Sequence, residues 1–223
     1  MSIFRRKNKL VDADRDFYDV YRDARDAVWK LLAENEVSTL PIDVFALCET
    51  QQIECYSFVH AQVLIQSLHI EKHCVSGRYL VLCPAGRRII LYDDAVPHEL
   101  QRFLVASALA HIVLEHTQNR TELPVVFSPE EMLTAGVFAT RLLAPLSVLW
   151  GMGVDGVQEL IKVCRIPRAT AEKRFERLCE INDRNDRFGM ASGQGSMFLS
   201  GYERSAYRNF SPFIENYRKN KNR

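Results

Sequence analysis

The sequence predicts an α+β fold, mainly helical with one small sheet, and three observations carry the prediction. Long stretches repeat apolar residues at three- and four-residue steps, as one buried helix face requires. Two short runs, Tyr79 to Cys83 and Arg88 to Tyr92, flank the turn Pro84-Ala85-Gly86-Arg87 and read as a β-hairpin. A further segment, about 97–116, is apolar nearly all round, so it belongs inside a core, and a second buried helix follows from Ser128. With 223 residues, 47% hydrophobic and 26% charged, the chain has enough apolar surface to build that core.

Residues 12–36 read as a helix: Phe17, Val20, Tyr21, Ala24, Val28, Leu31 and Leu32 recur at helical steps with Asp and Arg between them. Ser38-Thr39-Leu40-Pro41-Ile42-Asp43 ends it and starts a second helix at about 42–51. Cys55 to Phe58 reads as a strand, and Val59 to Ile70 fits helix or strand. Asp93-Asp94-Ala95-Val96-Pro97 is a helix entry, since acidic groups favour the positive end of the helix dipole and Pro suits the first turn. A buried helix over about 97–116 follows. The next helix has Ser128 as N-cap, Pro129 at the first position and Glu131 closing a capping box, and it stops before Pro145. Two helices over 154–181 are joined by Cys164-Arg165-Ile166-Pro167. Residues 184–201, rich in Gly and Ser, read as a flexible linker. Tyr202 to Tyr217 reads as a partly amphipathic segment whose aromatics Phe198, Tyr202, Tyr207, Phe210, Phe213 and Tyr217 dock on the core, ahead of a solvated basic tail, 218–223. The division that follows is 12–150, 151–183 and 184–223.

Net charge is +1, so no global field draws the molecule to nucleic acid or to an anionic membrane. The basic start, Met1 to Lys9, runs into Val11-Asp12-Ala13-Asp14 with no apolar core behind it, which predicts no secretory signal peptide. The apolar stretch Phe103 to Leu114 is too short to span a bilayer. A soluble, cytoplasmic protein with no membrane partner is expected. Six scattered cysteines without a C-x-x-C pair predict reduced, buried thiols rather than a disulfide framework or a zinc ribbon. No phosphate-binding glycine loop, dinucleotide fingerprint or nucleophile elbow is present.

The helix Gln101 to His116 has the spacing of a metal site, because positions four apart share a face and residues 107 and 111 could both reach one ion. In H-E-x-x-H peptidases two histidines so placed hold zinc, and the Glu beside the first activates the bound water. Arg102-Phe103, Ala106 and His111-Ile112 resemble the active-site helix of the ImmA/IrrE family of zinc metallopeptidases. Ser38 to Cys55 resembles that family's amino-terminal helix and strand. Ala135, Phe138-Ala139, Leu142-Leu143 and Pro145 resemble its next helix, and Ile166 to Leu178 its downstream helical pair. The resemblance covers roughly residues 25 to 180. It implies a zincin-like domain with a helix-turn-helix-like pair behind it, zinc as the family's cofactor, and a phage- or mobile-element repressor-like protein as partner.

The residues that should do the chemistry are mostly replaced. The family's first histidine falls on Ser107, its general-base glutamate on Ala108 and its later glutamate ligand on Thr134, and only His111 is retained. Serine and threonine hydroxyls are poor zinc ligands, and Ala108 cannot take a proton from water. Glu115, one turn beyond His111, and His116 are the further candidate ligands for a rebuilt site. We favour a buried His111 hydrogen-bonded to Ser107 or Glu115, with His116 placed by the helix dipole. His60, His69 and His73 are expected at the surface. Three functions follow. The first is a non-catalytic homologue, with no cofactor, that binds a regulatory protein in the old cleft, with Ser107, Ala108, His111 and Thr134 as floor and a peptide on an exposed sheet edge. The second is a working zinc metallopeptidase with altered ligands. The third is a DNA-binding regulator that uses residues 154–181, with Arg168, Thr170, Lys173, Arg174 and Arg177 on or near its second helix. Against the third, Glu172 and Glu176 interleave with the cations, and a helical hairpin with a solvated charged face explains the same pattern.

Overall fold

The computed structural model describes residues 22–187 and 200–221. Helix α1 covers residues 22–34, and the expected helical stretch before it lies outside the described residues. Ala24, Val28, Leu31 and Leu32 are buried on its inner face. Helix α2, Val44–Thr50, starts where the Asp43 carboxylate accepts from the Phe45 and Ala46 N–H groups, which no helical carbonyl reaches. Strand β1, Glu54–Ser57, follows. The ambiguous stretch then becomes a short helix, α3, Gln62–Ser67. Helix wins over strand because Ala61 and Ile65, four apart, share one face and bury it with Ile70.

Strands β2, Tyr79–Leu82, and β3, Ile89–Tyr92, form the expected antiparallel hairpin. The tight link Pro84–Gly86 puts both Ala85 and Gly86 at positive φ. Strand β1 pairs parallel to β3, so the order is β1-β3-β2 and β3 is central. Buried on both faces, β3 must read as an apolar run, and Ile89, Ile90 and Leu91 are fully buried. One face of the sheet, with Val81 and Ile90, joins the main core; the other, with Leu80, Leu82, Ile89 and Leu91, covers α3.

Helices α4, His98–Val113, and α5, Pro129–Leu143, pack most extensively against each other. At the start of α5 the capping box is present in full: Ser128 Oγ accepts from the Glu131 N–H and the Glu131 carboxylate accepts from the Ser128 N–H. Helix α4 ends at Val113, three residues before its expected end. His116 N–H donates to the His111 carbonyl and Glu115 N–H to the Ile112 carbonyl, with Glu115 at φ 60°. These two bonds make a Schellman stop, with a glutamate where glycine is usual.

The short helix α6, Leu146–Met152, ends at Gly153 in the left-handed region. Helix α7, Val157–Cys164, ends likewise at Arg165, and α8, Arg168–Arg187, begins after Pro167. Helix α8 extends into the stretch expected to be linker, and residues 188–199 lie outside the described residues. Helix α9, Gly201–Lys221, docks on α6 through Ala206, Phe210 and Ile214. Of the aromatics expected to dock, Phe210 is fully buried, Tyr207, Phe213 and Tyr217 are half-buried, Tyr202 is exposed, and Phe198 lies outside the described residues. The expected basic tail is in part this helix. Lys221 Nζ donates to the Gly153 carbonyl at 2.8 Å and to both Glu159 carboxylate oxygens. Buried residues of every α-helix except α3 belong to one cluster, so the two sides of position 150 share a core.

One cation lies inside that core. Arg102, on α4, is 4% exposed and donates to the Cys164 and Arg165 carbonyls, each at 2.8 Å, and to the Ile42 carbonyl at 2.5 Å. It joins α4 to the end of α7 and to the approach to α2.

The described residues include one helical stretch, Pro129–Met152, apolar and long enough to cross a membrane by composition. It is not the expected 103–114 region. Ala144 and Pro145 break it between α5 and α6, and its fully buried residues Phe138, Leu142, Leu143 and Leu149 line the core, which accounts for its composition.

Candidate functional site

The expected floor of the cleft is not open. Ser107 is 4% exposed, Ala108 and His111 0%, and Thr134 8%, so all four lie in the packed interior. Each hydroxyl bonds within its own helix: Ser107 Oγ donates to the Phe103 carbonyl at 2.8 Å and Thr134 Oγ to the Glu130 carbonyl at 2.9 Å. Ala108→Trp would therefore overpack the core, typically at about 1–3 kcal/mol or more, and would not report on a binding surface alone.

His111 has different neighbours from those expected. Its Nε2 meets Tyr79 Oη at 2.9 Å and its Nδ1 meets His116 Nδ1 at 2.9 Å. The Phe127 ring stacks on it, centroids 3.5 Å apart and planes at 14°. Neither Ser107 nor Glu115 bonds to it. Glu115 lies beyond the helix end and is exposed, off the face of His111. His116 is placed by the Schellman stop, which ordinarily brings these two positions into apolar contact and here brings two imidazoles together. The helix dipole is not what positions it. His60 and His69 are exposed and His73 half-buried.

The hydrogen bonds close with a neutral His111 in either tautomer, the form that its burial favours. If Tyr79 Oη donates to Met132 Sδ, 3.4 Å away, His111 Nε2–H donates to the phenol oxygen and His116 Nδ1–H to His111 Nδ1. If the phenol donates to Nε2 instead, His111 Nδ1–H donates to His116. Both nitrogens are engaged either way, and a proton on both Nδ1 atoms would set two donors against each other. Burial, helped by His116, pushes His111 down to about 3, and burial also lowers His116. Burial raises the Tyr79 phenol, so it stays a hydroxyl. Glu131 and Arg120, paired at 2.5 Å, border the histidines, and the Arg120 guanidinium sits 5.7 Å from the Phe127 centroid.

This geometry does not suit the zinc that the sequence resemblance implies. His111 has both ring nitrogens engaged, and Ser107 and Thr134, the other two positions the resemblance implies, bond to their own helices. Among the described residues no group of three or more His, Cys, Asp or Glu could hold a metal.

The neutral histidine has a consequence for stability. The unfolded imidazole binds a proton below about pH 6.5, whereas the folded one stays neutral down to about 3. The stability contributed by neutral burial is complete above pH 6.5 and is lost as pH falls towards 3, at up to about 1.4 kcal/mol per pH unit. Urea unfolding between pH 7 and 4 should show this slope in wild type and a shallower one in His111→Gln. Parallel slopes would mean that His111 is not held neutral.

The five residues proposed for DNA do not form one cationic face. Arg174 Nε donates to the Ala144 carbonyl at 2.7 Å, and burial disfavours its charged form, so it ties α8 to the end of α5. Arg168 and Arg177 are exposed but paired with Glu172 and Glu180. Lys173 is exposed and Thr170 half-buried. All six cysteines are free; Cys48 and Cys164 are buried as expected, Cys55, Cys74 and Cys83 half-buried, and Cys179 exposed.

Tyr79 and Phe127 went unnoticed in the sequence. For Phe127 a signal existed, because it precedes the Ser128 cap, the place of a hydrophobic staple. For Tyr79, 32 residues from His111, no local spacing gives one. The chain matches no protein-family model and no curated protein.

Proposed function

We propose that this chain is a non-catalytic, cytoplasmic relative of the ImmA/IrrE metallopeptidases that binds a regulatory, repressor-like protein. In this reading residues 12–150 are the zincin-like domain and 151–183 the helix-turn-helix-like pair. The observation that carries it is His111, the one retained ligand position, buried and hydrogen-bonded through both ring nitrogens. A helix carrying that residue beside a small mixed sheet, with α5 packed along it, is compatible with the scaffold that the sequence resembles. Exposed apolar side chains at Val126, Met132 and Leu133 near this region suit a protein partner better than a charged ligand.

The test is a pull-down of a purified phage-type repressor encoded beside this chain, run with and without EDTA, with the captured protein weighed by mass spectrometry. Capture of intact repressor, unchanged by EDTA, is expected. A shortened, EDTA-sensitive product would establish the metallopeptidase with altered ligands. No capture would remove the repressor from the reading, and a gel shift at stated salt would then examine residues 154–181.

A further inference from the structure

The connection between α4 and α5, residues 114–128, has no helix or strand of its own, and ordered irregular connections of this length are uncommon in compact domains. Its second half lies along the outer edge of β2. In an antiparallel ladder bonded pairs alternate; Asp93 N–H donates to the Arg78 carbonyl, which turns the backbone groups of Tyr79 and Val81 away from β3. Val81's outward carbonyl accepts from Val125 N–H at 3.0 Å. Two residues on, Phe127 stacks on His111; two residues before, Leu123 packs with the cluster on the other face of the sheet. The segment thus straddles the edge, with one backbone bond at its middle and an apolar side chain on either side. Arg120 fastens its start, donating to the Val126 carbonyl and pairing with Glu131.

We propose that residues 120–127 are a strap that fills, as a bound peptide would, a recognition edge made by β2, Tyr79 and His111. The edge takes an extended peptide with an aromatic side chain two residues after the one that pairs with Val81, and partner binding displaces the strap. The fastenings fit a displaceable segment: one backbone bond to the sheet, the Phe127 stack, the Leu123 packing, the burial of Pro124 and Val125, and the Arg120–Glu131 pair, while Thr121, Glu122 and Val126 remain exposed. The proposal deepens the recognition reading above and rests on it for the partner's being a protein; its test uses no repressor, so the two can fail separately.

The probe is a fluorescein-labelled peptide with the sequence of residues 121–128, Thr-Glu-Leu-Pro-Val-Val-Phe-Ser. Anisotropy is read against wild type and against a variant in which residues 121–127 are replaced by a Gly-Ser linker of equal length, its fold checked by circular dichroism. The linker variant should bind at least tenfold more tightly than wild type, and alanine in place of the peptide's phenylalanine should lower that affinity at least tenfold. A folded linker variant that ignores the peptide, or binds both peptides alike, overturns the proposal. Hydrogen exchange on wild type is independent of any variant's folding. The Val125 amide should exchange at least a hundredfold faster than the Leu109 amide of α4, and equal protection would show that the strap opens only when the whole protein unfolds.

Discussion

Replacing Arg102 with alanine is expected to destabilise the protein by about 3–5 kcal/mol, a large share of the roughly 5–15 kcal/mol that holds a typical domain folded. Three carbonyls from two separate segments converge on its guanidinium: Ile42, Cys164 and Arg165. Each would be left without a partner, at about 1–3 kcal/mol apiece. The full sum is not expected, because the folded protein already carries the desolvation of the cation, which is the main reason its charged form is disfavoured. Arg102→Met separates the two effects by keeping most of the volume while removing the donors. Urea unfolding should place Met between wild type and Ala, and a loss below about 1 kcal/mol in both variants would mean that water replaces the guanidinium. The geometry of Arg102 makes it a structural junction between α4, α7 and the approach to α2.

Phe210→Ala should cost a similar amount, about 3–5 kcal/mol, from the lost transfer energy and the cavity left behind. Phe210 is fully buried between Ala206 and Ile214 on the face that α9 presents to α6. A polar latch also holds α9. Burial alone would raise the Glu159 carboxyl, but hydrogen bonds from Lys221 and Tyr217 outweigh it and hold it at about 2. Lys221 and Glu159 are nonetheless partly exposed, at 31% and 19%, and pairs of this kind are worth about 0–1 kcal/mol. Lys221→Ala should therefore weaken the protein by less than a third of the Phe210→Ala effect. If the order is reversed in denaturant unfolding, ionic fastening and not packing attaches α9. Gly151 belongs to the same contact: a Cβ there would lie 2.6 Å from Tyr207 Oη and 3.2 Å from Ile214 Cδ1.

Features whose causes are local were legible in the residues alone. Ser128 and Glu131 are three residues apart and close their box without help from the rest of the fold. Asp43 caps α2 by reaching two and three residues ahead, and the hairpin over 79–92 follows from two apolar runs and the turn between them. That Ser107 and Thr134 are poor zinc ligands and Ala108 no general base could be read directly, since a hydroxyl or a methyl group has its chemistry in any fold. Only the tertiary structure decided what those residues and their neighbours face. Arg168 and Arg174 sit on one helix and look alike in sequence, yet one is solvated beside Glu172 and the other reaches the Ala144 carbonyl. Helix α4 stops at Val113 although apolar periodicity runs on, because two backbone bonds past the end are satisfied by a turn that no propensity rule anticipates at a glutamate. His111 looked like a ligand or a satisfied core histidine, and its partners Tyr79 and Phe127 come from β2 and from the connection to α5. Pairing at that distance depends on how the sheet edge and the connection are packed together, and short-range patterns do not encode that arrangement.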